Sequence, residues 1–141
     1  MKDNAPIRDF AVHQINRLLS NLAFVAHRAS RSRDPEAIHD LRVAIRRFAE
    51  TLRMFPEFFP RWEIKKIRKR LDRMMDLTSE IRNRDIALDY LGTEKVKDPV
   101  LRAGLQRDRR IHEREFTRMI RRWTSRDFSA KWRSGLSLNS Q

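Results

Sequence analysis

The stretch IHDLRVAIRRFAETLRMF, residues 38–55, decides how the rest of the chain is read. On a helical wheel at about 100° per residue, Leu41, Ala44, Ile45, Phe48, Leu52 and Phe55 fall in one contiguous apolar arc. An arc of that width predicts a helix whose apolar side is buried against other helices. A second arc, opposite and slightly to one side, carries His39, Arg42, Arg46 and Arg53, with only Glu50 and Val43 near it. Like charges lined up along one helix face repel one another, and a bound polyanion would relieve that repulsion.

Working outward, Asp34 followed by Pro35 is an N-cap with proline at the first helical position, which starts this helix. Upstream, Ile7, Phe10, Ala11, Ile15, Leu18, Leu22, Val25 and Ala26 recur at helical spacing and predict a first helix over residues 6–28, ended by SRSRDPE. Downstream, PEFFPRW, residues 56–62, holds two prolines and predicts a turn. A third helix over residues 61–77 buries Ile64, Ile67, Leu71, Met74, Met75 and Thr78, while Lys66, Lys69, Arg70 and Arg73 form a basic stripe on its other side. LTSEIRNRDIALDYL, residues 77–91, is expected to be irregular before helix resumes over residues 85–91 and stops at Gly92. Asp98 and Pro99 repeat the capping signal and launch a helix over residues 100–123, with Leu101, Leu105, His112, Phe116, Met119 and Trp123 on one face. Arg107, Arg110, Arg114, Arg118 and Arg121 occupy its back.

Gly is scarce and strand-like alternation is absent, so the expected class is all-α. Short connections between long helices predict an antiparallel four-helix bundle, one domain over residues 1–132 followed by a disordered tail, 133–141.

The 141 residues carry 32 Lys and Arg against 19 Asp and Glu, a formal +13 that implies a polyanionic partner. Of the cations 25 are Arg and 7 are Lys, and the Arg fork binds phosphate oxygens bidentately. There is no cysteine, which excludes disulfides, thiolate metal sites and Cys nucleophiles. No signal-like apolar segment or membrane-length apolar run occurs, so the expected location is cytoplasmic, with no membrane partner. His13, His27, His39 and His112 are scattered, none at i, i+3 or i+4 from another, and no Gly-rich phosphate loop, nucleophile elbow or acidic cluster suited to Mg²⁺ is present. No metal, no cofactor, no catalytic residue and no enzyme is expected.

Phosphates suit the basic arcs better than bases do. Single-strand binders interleave basic grooves with aromatic stacking platforms, whereas Phe48, Phe55 and Trp123 fall on core faces here. Base-edge reading would want Asn, Gln and Ser among the cations, and these faces offer almost only cations. Non-specific nucleic-acid binding is disfavoured without being ruled out. A helical interaction protein with an acidic partner remains the other reading.

IHDLRVAIRRFAETLRMFPEFFP, the basic helix RWEIKKIRKRLDRMM and the later SEIRNRDIALDYL occur in an order that resembles the CHAD domain, the conserved histidine α-helical domain. The resemblance covers about residues 15–132. It implies an all-helical protein that binds inorganic polyphosphate, in a family whose members associate with polyphosphate granules or are joined to a CYTH-type triphosphatase. It further implies polyphosphate contacts from His39, Arg42, Arg46, Arg47 and Arg53 on the second helix, Lys66, Lys69 and Arg73 on the third, and Arg82 beyond it. Asp85 matches the second Asp of the family's RDxD-like segment, and Asn83 stands where an Asp is common, keeping an acceptor and losing a charge. Full CHAD domains contain two similar helical bundles with a basic channel between them. This chain supplies about one, the N-terminal half, so the resemblance implies either a truncated copy or a homodimer that rebuilds the channel.

Overall fold

The computed structural model describes residues 4–32, 34–94 and 97–138, and every regular element among them is helical. In chain order these are α1 (Ala5–Arg31), α2 (Pro35–Met54), a single 3-10 turn (Pro56–Phe58), α3 (Arg61–Thr93), α4 (Pro99–Ser125) and α5 (Phe128–Gly135).

Local chemistry sets the element ends. Asp34 accepts a hydrogen bond from the Glu36 backbone N–H at 3.1 Å and Pro35 opens α2. Asp98 repeats the device for α4, accepting from Leu101 N–H at 3.0 Å. The two prolines expected to form the turn do so, and Phe59 is buried beneath it.

The apolar arc of α2 is buried as expected. Leu41, Ala44, Ile45, Phe48 and Leu52 join Ala11, Ile15, Leu19 and Leu22 of α1 and Ile64, Ile67, Leu71 and Met74 of α3 in one core. Pair contacts fix how neighbours lie. Phe10 meets Phe55 edge-on at 6.1 Å, and Arg28 pairs with Asp40 at 2.7 Å, so the start of α1 lies beside the end of α2. Arg42 reaches Thr78 at 2.6 Å, and Asp85 pairs with Arg109.

Three expectations are corrected. First, α3 does not break after Leu77: it runs unbroken through the segment expected to be irregular. That segment holds no Gly or Pro before Gly92, and its Thr78 hydroxyl donates back to the Met74 carbonyl at 2.9 Å, a bond a helix accommodates. Second, Gly92 is not a left-handed stop. No glycine among the described residues has positive φ, and α3 ends at Thr93 with Glu94 as its cap. Third, the chain does not dissolve after residue 132. Residues 133–135 complete α5, and Leu136 and Leu138 are buried; residues 139–141 lie outside the described residues.

The reason for the last difference is an aromatic cluster that spacing on one helix cannot reveal. Trp132 stacks against Phe48 at 6.1 Å with planes 12° apart, and meets Trp123 at 5.4 Å and Phe128 at 4.9 Å. Arg133 then donates to Asn16 at 3.1 Å and Ser20 at 3.0 Å, tying α5 to α1. On α4 the expected core face holds at Phe116 and Trp123, joined by Ile120, but Leu101 is exposed.

Candidate functional site

The nine residues expected to contact polyphosphate do not share one groove. The structure distributes them over several concavities and leaves some committed to partners.

Arg42 departs furthest from expectation. The wheel put it in the exposed basic arc, yet it is only 7 % exposed. It sits at the edge of that arc nearest Ile45, close enough to the apolar side to be covered by α3. Its Nη1 donates to the Met75 carbonyl at 2.9 Å and to Thr78 Oγ1 at 2.6 Å, both neutral acceptors. Its Nε is buried with no hydrogen-bond partner. Burial, then the nearby Arg46 and Arg82 cations, lower its pKa from the ordinary arginine value.

His39 and Arg82 line the same α2–α3 pocket as Arg42, a cavity of about 310 Å³ closed on its apolar side by Ile38, Ile81 and Ile86. Glu36 and Asp85 also line it. Asp85 is already taken by the Nε of Arg109, whose Nη1 pairs with Glu113 at 2.6 Å. The Asp85 hydrogen bond holds the Arg109 guanidinium above its ordinary pKa in spite of partial burial. Asn83 is exposed and stands outside this pair.

Arg46 and Arg47 face a second, larger hollow of about 790 Å³, together with Arg17 and Arg68, over a floor that includes Phe10 and Phe55. Arg46 and Arg47 make no ion pair among the described residues. Arg53 lines this hollow too, but its guanidinium is held by Glu50 through two hydrogen bonds. Lys66 pairs with Glu63 at 3.2 Å. Lys69 lies in a third hollow with Arg61, Lys65 and Arg68, and Arg73 in a fourth with Arg70.

The sequence reading missed Thr78 and the Met75 carbonyl as the acceptors that seat Arg42. No sequence signal could have found them, because they lie 36 and 33 residues away on another helix. It also passed over Arg17 of α1 and Arg68 of α3, which line the hollow of Arg46 and Arg47.

A match to the CHAD domain family model runs over residues 5–139, nearly the whole chain. The chain belongs to the CHAD domain family. The match extends the resemblance at both ends and takes in α5 with the buried Leu136 and Leu138. No curated protein and no solved structure matches the chain. In this CHAD domain no group of three metal-ligating side chains gathers among the described residues, and no described helix is long and apolar enough to cross a membrane.

Proposed function

We propose that this CHAD domain is a binding module for inorganic polyphosphate, without chemistry of its own, and that the α2–α3 pocket of His39, Arg42 and Arg82 grips the phosphoryl groups. The observation that carries the reading is Arg42. A guanidinium buried against neutral acceptors, with one donor unmet and two further cations beside it, is a positive charge the fold does not neutralise. Such a group costs stability until an anion arrives, and a phosphoryl oxygen supplies both the charge and the missing acceptor. Arg46 and Arg47 then guide the chain along α2 into the larger hollow.

The four long helices are read as an antiparallel bundle crossed by α5, an arrangement that keeps both hollows on the α2 side. Self-association belongs to the same reading. Pro35 and Glu36 share a pocket with Asp85 and Ile86, so α3 continues past the start of α2. Around that extension Tyr90, Val100 and Leu101 are exposed, Val100 by 83 %. The described residues of 85–94 and 97–98 hold four acidic side chains against one basic in a chain of net +13, so the occupant that fits this apolar, acidic tip is the basic body of a second copy. Light scattering should report a dimer that weakens as salt rises; a monomer at all salt concentrations sinks this part of the reading.

The test of function is competition between long-chain polyphosphate and single-stranded DNA of matched charge at near-physiological salt. Preference for polyphosphate, reduced by Arg82→Ala and Arg46→Ala with helix content unchanged, supports the pocket. Equal binding to both polymers would favour general electrostatics instead, and undiminished binding by the variants would move the site elsewhere. Association with polyphosphate granules follows from the same affinity, and co-sedimentation with granules is its check.

A further inference from the structure

The fourth hollow, between α3, α4 and α5, collects charge from segments far apart in sequence. Arg70 and Arg73 come from α3, Arg122 from the last turn of α4, Arg126 from its C-cap and Lys131 from α5. No carboxylate lines the cavity, whose volume is about 220 Å³. None of the five cations makes an ion pair among the described residues. Asp127, next to Arg126, spends its carboxylate on the α5 cap, accepting from Ala130 N–H at 3.3 Å and Ser129 Oγ at 3.1 Å, and Asp72, next to Arg73, lines the other hollows. The floor is apolar: Trp123 and Phe128, packed at 5.1 Å, are each about 95 % buried at 5 % and 4 % exposure.

We infer that this hollow is a second anion site, specific for a compact oligophosphate of two or three phosphoryl groups, free or as the terminal group of a larger molecule. Two facts separate it from the α2–α3 pocket. Arg73 and Arg82 are nine residues apart on α3, about two and a half turns, so they leave the helix on opposite sides. The two cavities also share no lining residue. Four guanidiniums from α3 and α4, joined in one hollow by the Lys131 ammonium of α5, suit tetrahedral groups that present several oxygens in different directions, since each fork takes two. A planar carboxylate would satisfy one fork and leave the rest in repulsion. The aromatic floor keeps water from one side of the ligand, which strengthens each charge-assisted bond. Basic residues at the end of α4 also complement its macrodipole, but that accounts only for Arg122 and Arg126, not for the cations of α3 and α5 brought to the same place.

The site does not depend on the long-chain reading of the α2–α3 pocket, and one set of samples tests both. Tripolyphosphate is titrated into the full chain while the Trp123 indole N–H resonance is followed, assigned by Trp→Phe substitution. We expect a saturable shift of Trp123, weakened about tenfold or more in Arg122→Ala/Arg126→Ala and retained in Arg82→Ala. Arg107→Ala/Arg110→Ala removes the same charge from α4 outside the cavity and should retain the shift. No movement of Trp123, or equal weakening by the Arg107/Arg110 pair, overturns the site in favour of diffuse attraction. Loss of the shift in Arg82→Ala overturns its independence. Failure of long-chain polyphosphate binding on the same samples would count against the α2–α3 pocket alone.

Discussion

Arg42 has a structural role in the fold and is the residue on which the proposed function rests. Its contacts with Met75 and Thr78 tie α2 to α3, while its unmet Nε and its cationic neighbours leave charge without compensation. Replacing a buried, poorly compensated charge with an apolar side chain of similar length is often neutral or stabilising. Arg42→Met is therefore expected to melt within about 1 kcal/mol of the parent or above it, yet to lose the stabilisation that polyphosphate gives the parent. Thermal denaturation with and without polyphosphate checks both halves. Glu50 works in the opposite sense, withdrawing Arg53 from the basic surface. The hydrogen bond from Arg53 lowers the Glu50 pKa below its ordinary value of 4.5. The pair is therefore intact above pH 4.5 and is lost only as pH falls through the lowered value. Above pH 4.5, Glu50→Gln should free Arg53, tighten polyphosphate binding and steepen its dependence on salt by about 0.7 of a log unit per log unit of salt, the increment of one added phosphate contact. An unchanged salt slope would show that Arg53 does not reach the polymer.

At the scale of the element, α3 decides where the proposed sites lie. Because it runs from Arg61 to Thr93 without a break, it presents Arg70 and Arg73 to α4 and α5, and Thr78 and Arg82 to α2. An irregular segment after Leu77 would uncouple the Arg82 register from that of Arg73. Asn83→Pro tests the continuity, since it removes a backbone donor and clashes with the preceding turn, at a cost of about 3 kcal/mol or more in a helix interior. Circular dichroism and a melting curve should show that loss; a variant as stable as the parent would restore the irregular segment. The periodicity of α2 was legible because its apolar arc is wide and its cap is explicit. The middle of α3 was not, because Ser79, Asn83 and Asp85 lower local helix propensity and only packing against α2 and α4 overrides it.

At the scale of the whole molecule, α5 with Leu136 and Leu138 closes the core. Leu136 and Leu138 are 1 % and 3 % exposed, and a methyl group at Gly135 would collide with the Glu63 carboxylate, so this segment lies hard against α3. Leu136→Ala and Leu138→Ala should each cost about 2–5 kcal/mol, a loss that chemical denaturation measures directly. Costs near zero would mean that the segment is detached in solution. The sequence by itself determined the helical class, the capped starts of α2 and α4, the core face of α2 and the family. These rest on local spacing and on residue types that act within one turn of the chain. Only the tertiary structure decided that Arg42 is buried, that eight of the nine expected contacts divide among separate hollows while Lys66 pairs with Glu63, and that Arg70, Arg73, Arg122, Arg126 and Lys131 line one cavity. Those outcomes depend on which helix covers which flank, a property of packing between residues dozens of positions apart that no single helical wheel contains.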